Sequence, residues 1–223
     1  MVELKSDAGS IMAAEIFTIG HSTQPVERFI ELLMQHRINA IADVRSSPYS
    51  RRNPQFNREA VHAALRTRGI RYVFLGEELG ARSKDECCYV DDKVDYQRLA
   101  NTPLFQSGIA RVLQGAQSHK IALMCAEKEP LDCHRTILVA RELVRVGCRV
   151  THILADGSLE SHDCAIARLV KQSGLTAGDL FRSQALMEEE AYQRQSHRIA
   201  YDRKAHWLPS DPGKRVPGDR ESP

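Results

Sequence analysis

Residues 120–154 read KIALMCAEKEPLDCHRTILVARELVRVGCRVTHIL, and this stretch decides the fold. The run 120–125 (KIALMC) is short, apolar and uninterrupted, as in a strand buried on both faces. A polar loop, AEKEPL, follows it. Asp132 then stands where a helix cap belongs. The apolar spacing from there to Val146 fits a helix that Gly147 closes. Residues 149–154 (RVTHIL) return to a strand pattern. Strand, helix and strand in succession predict one parallel βαβ unit.

The same alternation runs upstream. Residues 15–19 (EIFTI) form a first strand that stops at Gly20-His21-Ser22. Thr23 and Pro25 open a helix whose one face carries Val26, Phe29, Ile30 and Leu33. Residues 38–44 (INAIADV) make a second strand, ending at Asp43-Val44-Arg45. A loop with two prolines, SSPYSRRNPQF, leads to a helix headed by Asn57, in which Phe56 and Val61 hold the positions of a hydrophobic staple. Residues 70–75 (IRYVFL) are the third strand, and Pro103 opens another helix. Residues 81–103 are polar and irregular, long enough for a lid or a binding loop. Residues 159–171 read as one more helix. The expectation is an α/β fold: a mostly parallel five-stranded sheet, helices on both faces, in a single domain over 15–175. Residues 1–14 are expected to be a flexible leader. Residues 176–223 are expected to be helical and then disordered, since LPSDPGKRVPGDRESP holds four prolines and few apolar residues.

The 223 residues suit one such domain with tails. A hydrophobic fraction of 42% and a charged fraction of 27% exclude wholesale disorder, collagen and coiled coil. No apolar run approaches the roughly 18 residues of a membrane span, and the N-terminus has no signal-peptide pattern, so a cytoplasmic protein without membrane partners is expected. Six cysteines in such a chain are expected to be reduced. Cys148 and Cys164 read as core, and Cys87-Cys88 as surface. The net charge of +2 hides an uneven distribution: seven arginines against one Glu between Arg45 and Arg71 leave that segment at +6. Such a segment points to an anionic partner, or to a solvated face.

Ligands of open α/β sheets bind outside the carboxyl ends of the strands. Those ends carry unusual chemistry here. His21 has the proton affinity for acid–base work. Asp43 and Arg45, two apart on a strand, point to one side, either as an ion pair or with Arg45 free to hold a phosphate. Glu127 offers a base or a nucleophile. Cys133, at the first helical position if Asp132 is the cap, lies where a helix N-terminus favours a thiolate, with Arg135 beside it. The short Cys-x5-Arg loop of cysteine phosphatases is not matched. Cys125, Cys133, His134 and His21 have the ligand types for zinc or iron. However, Cys-x7-Cys-His is no finger spacing, and adjacent residues such as Cys133 and His134 seldom reach one ion, so no metal ligand is assigned and a transition metal stays open. Tyr49, Arg51 and Arg52, near Phe56, join cations to aromatic faces, as in single-stranded nucleic acid sites.

The motifs TIGHS (18–22), DVR (43–45), PYS (48–50), PQF (54–56), LG at 75 and 79, VDY (94–96) and CAE…CHR (125–135), in this order, resemble the DUF488 family of uncharacterised bacterial and archaeal proteins. The resemblance spans roughly residues 15–155. It implies one domain and a shared rim, and supplies no substrate. The leading expectation is an enzyme acting on a phosphate-bearing substrate, a nucleotide or nucleic acid. His21, Asp43, Glu127, Cys125 and Cys133 are its catalytic candidates. Ser22, Arg45, Tyr49, Arg51, Arg52, His134 and Arg135 are its binding candidates. The competing readings are a non-catalytic nucleic-acid-binding module and a thiol- or metal-dependent enzyme built on Cys125, Cys133 and His134.

Overall fold

The computed structural model describes residues 14–175 and 183–206. The leader expected over 1–14 (Ala14 apart) and the tail beyond 206 lie outside the described residues. In chain order the elements are β1 (Glu15–Gly20), α1 (Val26–Gln35), β2 (Ala40–Asp43), α2 (Arg58–Arg66), β3 (Arg71–Phe74), the single turn α3 (Gly76–Leu79), a ribbon of β4 (Tyr89–Val90) and β5 (Lys93–Val94), α4 (Tyr96–Ala100), α5 (Pro103–Ala116), β6 (Ile121–Cys125), a helix ending in α6 (Arg141–Arg145), β7 (Arg149–Ile153), β8 (Leu159–Ser161), α7 (His162–Gln172), α8 (Gln184–Ile199) and the short α9 (Arg203–His206).

The main sheet has six strands in the order β3-β2-β6-β1-β7-β8, all parallel except β8. The sixth strand is the one departure from the expected five. Residues 159–161 were expected to open a helix. Instead they pair antiparallel with β7, Ile153 facing Leu159, and Ser161 then caps α7 by accepting from Cys164 N. A tight turn at Gly157, φ +94°, reverses the chain there.

The two faces of the sheet bury different helices. Phe17, Ile19, Ile41, Ala122 and Met124 pack against α1 and α2. Ile16, Ala42, Leu123 and Val150 pack against α5, α6, α7 and α8. One sheet with both faces covered makes a single domain. Buried strands of this kind need no polar alternation, which is why β6 is apolar throughout.

Two features set the rim. First, β6 lies between β1 and β2, with Gly20 paired to Cys125 and Asp43 to Met124. From β1 the chain passes to β2 on one side, and from β6 to β7 on the other. The crevice between β1 and β6 is therefore the point where the order reverses, the usual ligand position in an open sheet. Second, the backbones stay laced beyond the strands: His21 N donates to Cys125 O and Ser22 N to Ala126 O, both at 2.9 Å. Gly20 is required there, because a Cβ would stand 1.8 Å from the Glu127 carbonyl oxygen.

The segment 81–103 is more ordered than its composition suggests. It holds a 3-10 turn at Glu86–Cys88, the β4–β5 ribbon and α4. Among the described residues no helix is long and apolar enough to cross a membrane.

Candidate functional site

At the end of β2, Asp43 is fully buried and spends both oxygens. Oδ1 accepts from Arg45 N at 3.1 Å and Arg45 Nε at 2.9 Å, while Oδ2 accepts from Arg45 Nη2 and Tyr72 Oη, both at 2.7 Å. This is a two-pronged, buried ion pair. Burial works against the Arg45 charge, but Asp43 outweighs it and raises the guanidinium pKa. The ion pair weighed from the sequence is therefore present.

His21 leaves β1 stacked on Phe56, ring centroids 4.2 Å apart. Its Nδ1 bonds the Ser22 carbonyl at 2.8 Å, and its Nε2 receives Arg45 Nη1 at 3.2 Å. Burial, with the Arg45 charge adding to it, lowers its pKa to about 4. His21 is therefore a neutral ring with both nitrogens in use. The bond to Ser22 depends on the backbone of that residue, which sits at φ +50°, in the left-handed region that side chains disfavour.

Four further candidates meet at the end of β6. Cys125 Sγ and Cys133 Sγ lie 2.9 and 3.0 Å from one oxygen, Glu127 Oε2. His134 Nδ1 lies 3.6 Å from Cys125 Sγ and 4.0 Å from Cys133 Sγ, while its Nε2 donates to Val44 O at 2.9 Å. Adjacent residues Cys133 and His134 thus do reach one point, against the expectation from their spacing. The reason is a change of backbone between them. Cys133 is extended, φ −133° and ψ 138°, whereas His134 is already helical. Asp132 is not the cap: it closes a 3-10 turn, Pro130–Asp132, and Cys133 takes the cap position, its sulfur accepting from Arg135 N at 3.4 Å. The helix that follows is a π-helix over Arg135–Ala140 before it becomes α6, a distortion that recurs at functional sites.

The two thiols differ. Burial raises Cys125 well above the usual thiol range. Burial also opposes the Cys133 charge, but the Cys125 thiol, Arg135 and His134 together bring Cys133 well below that range. Burial raises Glu127, with the Cys133 charge adding to it. His134 loses by burial and gains more from Cys133, so its pKa rises. Arg135, fully buried, is held by the carbonyls of Glu127 at 2.7 Å and Lys128 at 3.3 Å.

Of these groups Arg45, Cys125, Glu127 and His134 line the sheet side of a cavity of about 490 Å³, and Cys133 and Arg135 lie behind that lining. The cavity's outer wall comes in part from the 81–103 segment, expected as a lid or binding loop, and in part from α8 and the residues after it, which no sequence signal placed there. Arg82 and Lys93 enter from the 81–103 segment, and Arg198 and Tyr201 from the end of α8 and beyond. Arg198 pairs with Asp132, Lys93 Nζ bonds His197 O at 3.0 Å, and the Arg82 guanidinium lies 4.7 Å from the Tyr201 ring centre. The VDY motif pointed to the same wall, since Tyr96 lines the cavity. Tyr49, Arg51 and Arg52 are exposed on the 46–56 loop and do not line it; Tyr49 Oη instead donates to Glu59.

All six cysteines are free thiols. Cys164 is exposed and Cys88 buried, the reverse of their sequence assignment, because Cys164 falls on the outer side of α7 and Cys88 on the inner side of its turn.

A family model described as Domain of unknown function DUF488 matches residues 25–141, from the start of α1 to the start of α6. No curated protein and no solved structure matches the chain.

Proposed function

The chain belongs to the DUF488 family, and on that premise we propose that it is an enzyme that takes a small phosphate-bearing molecule of nucleotide size into the rim cavity. The reaction assigned to it is hydrolysis or group transfer at the floor formed by Cys125, Glu127, Cys133 and His134. The observation that carries this reading is the meeting of Cys125, Glu127 and His134 on the lining of a cavity of about 490 Å³, with Cys133 Sγ 3.0 Å from Glu127 just beyond that lining and Arg82, Lys93 and Arg198 at the mouth. That volume lies in the range of small-molecule sites and is too small for a duplex. Arg82 carries the fewest internal obligations of the three, since its guanidinium rests on an aromatic face. In this reading His21 and Asp43 are positioning residues that hold Arg45 in place, because their own polar atoms are engaged.

The test is binding of inorganic phosphate, nucleoside mono- and diphosphates and a labelled single-stranded oligonucleotide. Wild type is set beside Arg82→Ala and the double variant Arg51→Ala/Arg52→Ala. The expected result is nucleotide binding that weakens about tenfold or more in Arg82→Ala, as for the loss of one charge-assisted hydrogen bond, and is unchanged in the double variant. Glu127→Gln and Cys133→Ser are expected to retain binding and lose turnover. Tight, steeply salt-dependent oligonucleotide binding that the double variant abolishes would overturn the cavity reading and return the nucleic-acid-binding module.

A further inference from the structure

Four side chains with metal-ligating atoms meet at the cavity floor. The Sγ atoms of Cys125 and Cys133, Nδ1 of His134 and a carboxylate oxygen of Glu127 all lie within 4.8 Å of one another. The imidazole proton sits on Nε2, which donates to the Val44 carbonyl, so Nδ1 turns a lone pair toward the sulfurs. We propose that this cluster is a binding site for a divalent ion of the zinc class, with Cys125, Cys133 and His134 as fixed ligands and Glu127 as an exchangeable fourth.

The distances support a tetrahedral site. Zinc–sulfur and zinc–nitrogen bonds of about 2.3 and 2.05 Å set tetrahedrally place sulfur and nitrogen about 3.5 Å apart. The two sulfur–nitrogen separations are 3.6 and 4.0 Å. The sulfur–oxygen separations, 2.9 and 3.0 Å, are shorter than the roughly 3.5 Å that the same geometry asks. The Glu127 carboxylate has to withdraw by about half an ångström, and Cys133 Sγ and His134 Nδ1 have to close by about as much. The carboxylate stands on an exposed residue of the loop after β6, while both thiols are buried. The hydrogen bond from His134 to Val44 is the outer support that metal-bound imidazoles ordinarily have, fixing ring and tautomer. Two thiolates, a neutral imidazole and a carboxylate are a borderline-soft donor set suited to zinc rather than to magnesium or calcium. Both sulfurs bind as thiolates, so binding releases whatever thiol protons the pair still carries. The resulting centre carries one net negative charge, beside the Arg135 guanidinium bonded to the Glu127 carbonyl. When Glu127 swings off, the open position faces the cavity, where the ion supplies Lewis-acid chemistry to a molecule bound there. The site rests on ligand geometry alone and stands even if the substrate reading fails.

The test uses the full chain purified without oxygen, stripped of metal and titrated with Co(II) and then Zn(II). One equivalent of Co(II) is expected to give a thiolate-to-cobalt charge-transfer band with the visible bands of tetrahedral cobalt, and Zn(II) is expected to bleach both. Cys125→Ser and Cys133→Ser are each expected to weaken binding at least a hundredfold, and Glu127→Gln to keep the charge-transfer band while shifting the visible ones. Bound Zn(II) is expected to shield Cys125 and Cys133, and not exposed Cys164, from alkylation. No band and under a tenth of an equivalent of metal in folded wild type would overturn the proposal. So would a band that survives Cys125→Ser and vanishes in Cys87→Ser, since that would place the ion at the Asp85–Cys87–Cys88 cluster.

Discussion

Two polar networks lie under the same face of the sheet, with Arg135 between them. One is the cavity floor. The other is a buried chain: Thr18 Oγ1 bonds His152 Nδ1 at 2.8 Å, His152 Nε2 bonds His162 Nδ1 at 3.2 Å, and His162 Nε2 bonds Tyr192 Oη at 2.7 Å. Thr18 shares a face with Cys125 because Gly20 pairs with Cys125 and side chains alternate along β1. The chain has as many partners as ring nitrogens. Each neutral imidazole donates once and accepts once, so one directional string satisfies every atom. At the floor two sulfurs crowd one oxygen, and an imidazole lone pair faces the sulfurs. The contrast teaches that buried histidine is not itself the sign of chemistry. Saturation marks the Thr18–Tyr192 chain as a device that fixes β1, β7, α7 and α8 to one another. Unsaturation beside a cavity marks the floor as a place for a ligand.

The largest expected effect separates the floor from the pair that props its rim. Asp43→Ala leaves the buried Arg45 charge without the carboxylate that pairs with it and frees Tyr72 Oη. A loss of about 3–5 kcal/mol in urea unfolding is expected. A loss under about 1 kcal/mol would mean that the Arg45 charge reaches water. In that case Arg45 belongs with the exposed cations of the cavity mouth.

Next in size is the response to acid. His162 is lowered to about 4 by burial, and the same cause lowers His152 well below the usual histidine range. A neutral folded ring and a protonatable unfolded one mean that the unfolded chain binds more protons between about pH 6.5 and 4. Stability is therefore full above pH 6.5 and falls as the pH drops through that window, by an upper limit of about 3 kcal/mol for one such histidine. His162→Gln is expected to flatten the dependence by that share. An unchanged slope would show that His162 takes up its proton while folded, which the saturated string does not allow.

The sheet was legible because it rests on local pattern. The runs at 15–19, 38–44, 70–75, 120–125 and 149–154 are short, rich in apolar and β-branched residues, and most are set off from the helices by glycine or proline. The edge strand β8 escaped notice for the same reason. Leu-Glu-Ser is three residues long, too short to show an alternation of its own, and the helix that follows it reads strongly. The site was half legible. The strand ends named His21, Asp43, Arg45, Cys125 and Glu127, and the topology brought them to one rim. Sequence spacing misjudged Cys133 and His134, because the extended residue before the π-helix turns two neighbours toward one point. The outer wall was out of reach. Lys93 and Tyr201 meet through a ribbon and a bridge to Asp202 that no local signal encodes.

The smallest effect is the one that best sharpens the contrast. Tyr192→Phe removes only the hydroxyl that ends the histidine chain. The ring remains under the Arg141 guanidinium, now 4.3 Å from its centre, so the packing of α8 is kept. His162 Nε2 is left buried without its partner, and a loss of about 1–2 kcal/mol is expected, the desolvation cost of one unsatisfied polar atom. Arg135 lies between the two networks, and its charge acts on both His152 and Cys133. Because that guanidinium is pinned by two carbonyls, a change at the far end of the chain has no lever on the floor. Thermal unfolding of Tyr192→Phe should therefore shift, while its cobalt spectrum and the alkylation rates of Cys125 and Cys133 match wild type. A shifted spectrum would make the chain and the floor one network, and would give the string of histidines a part in the chemistry of the cavity.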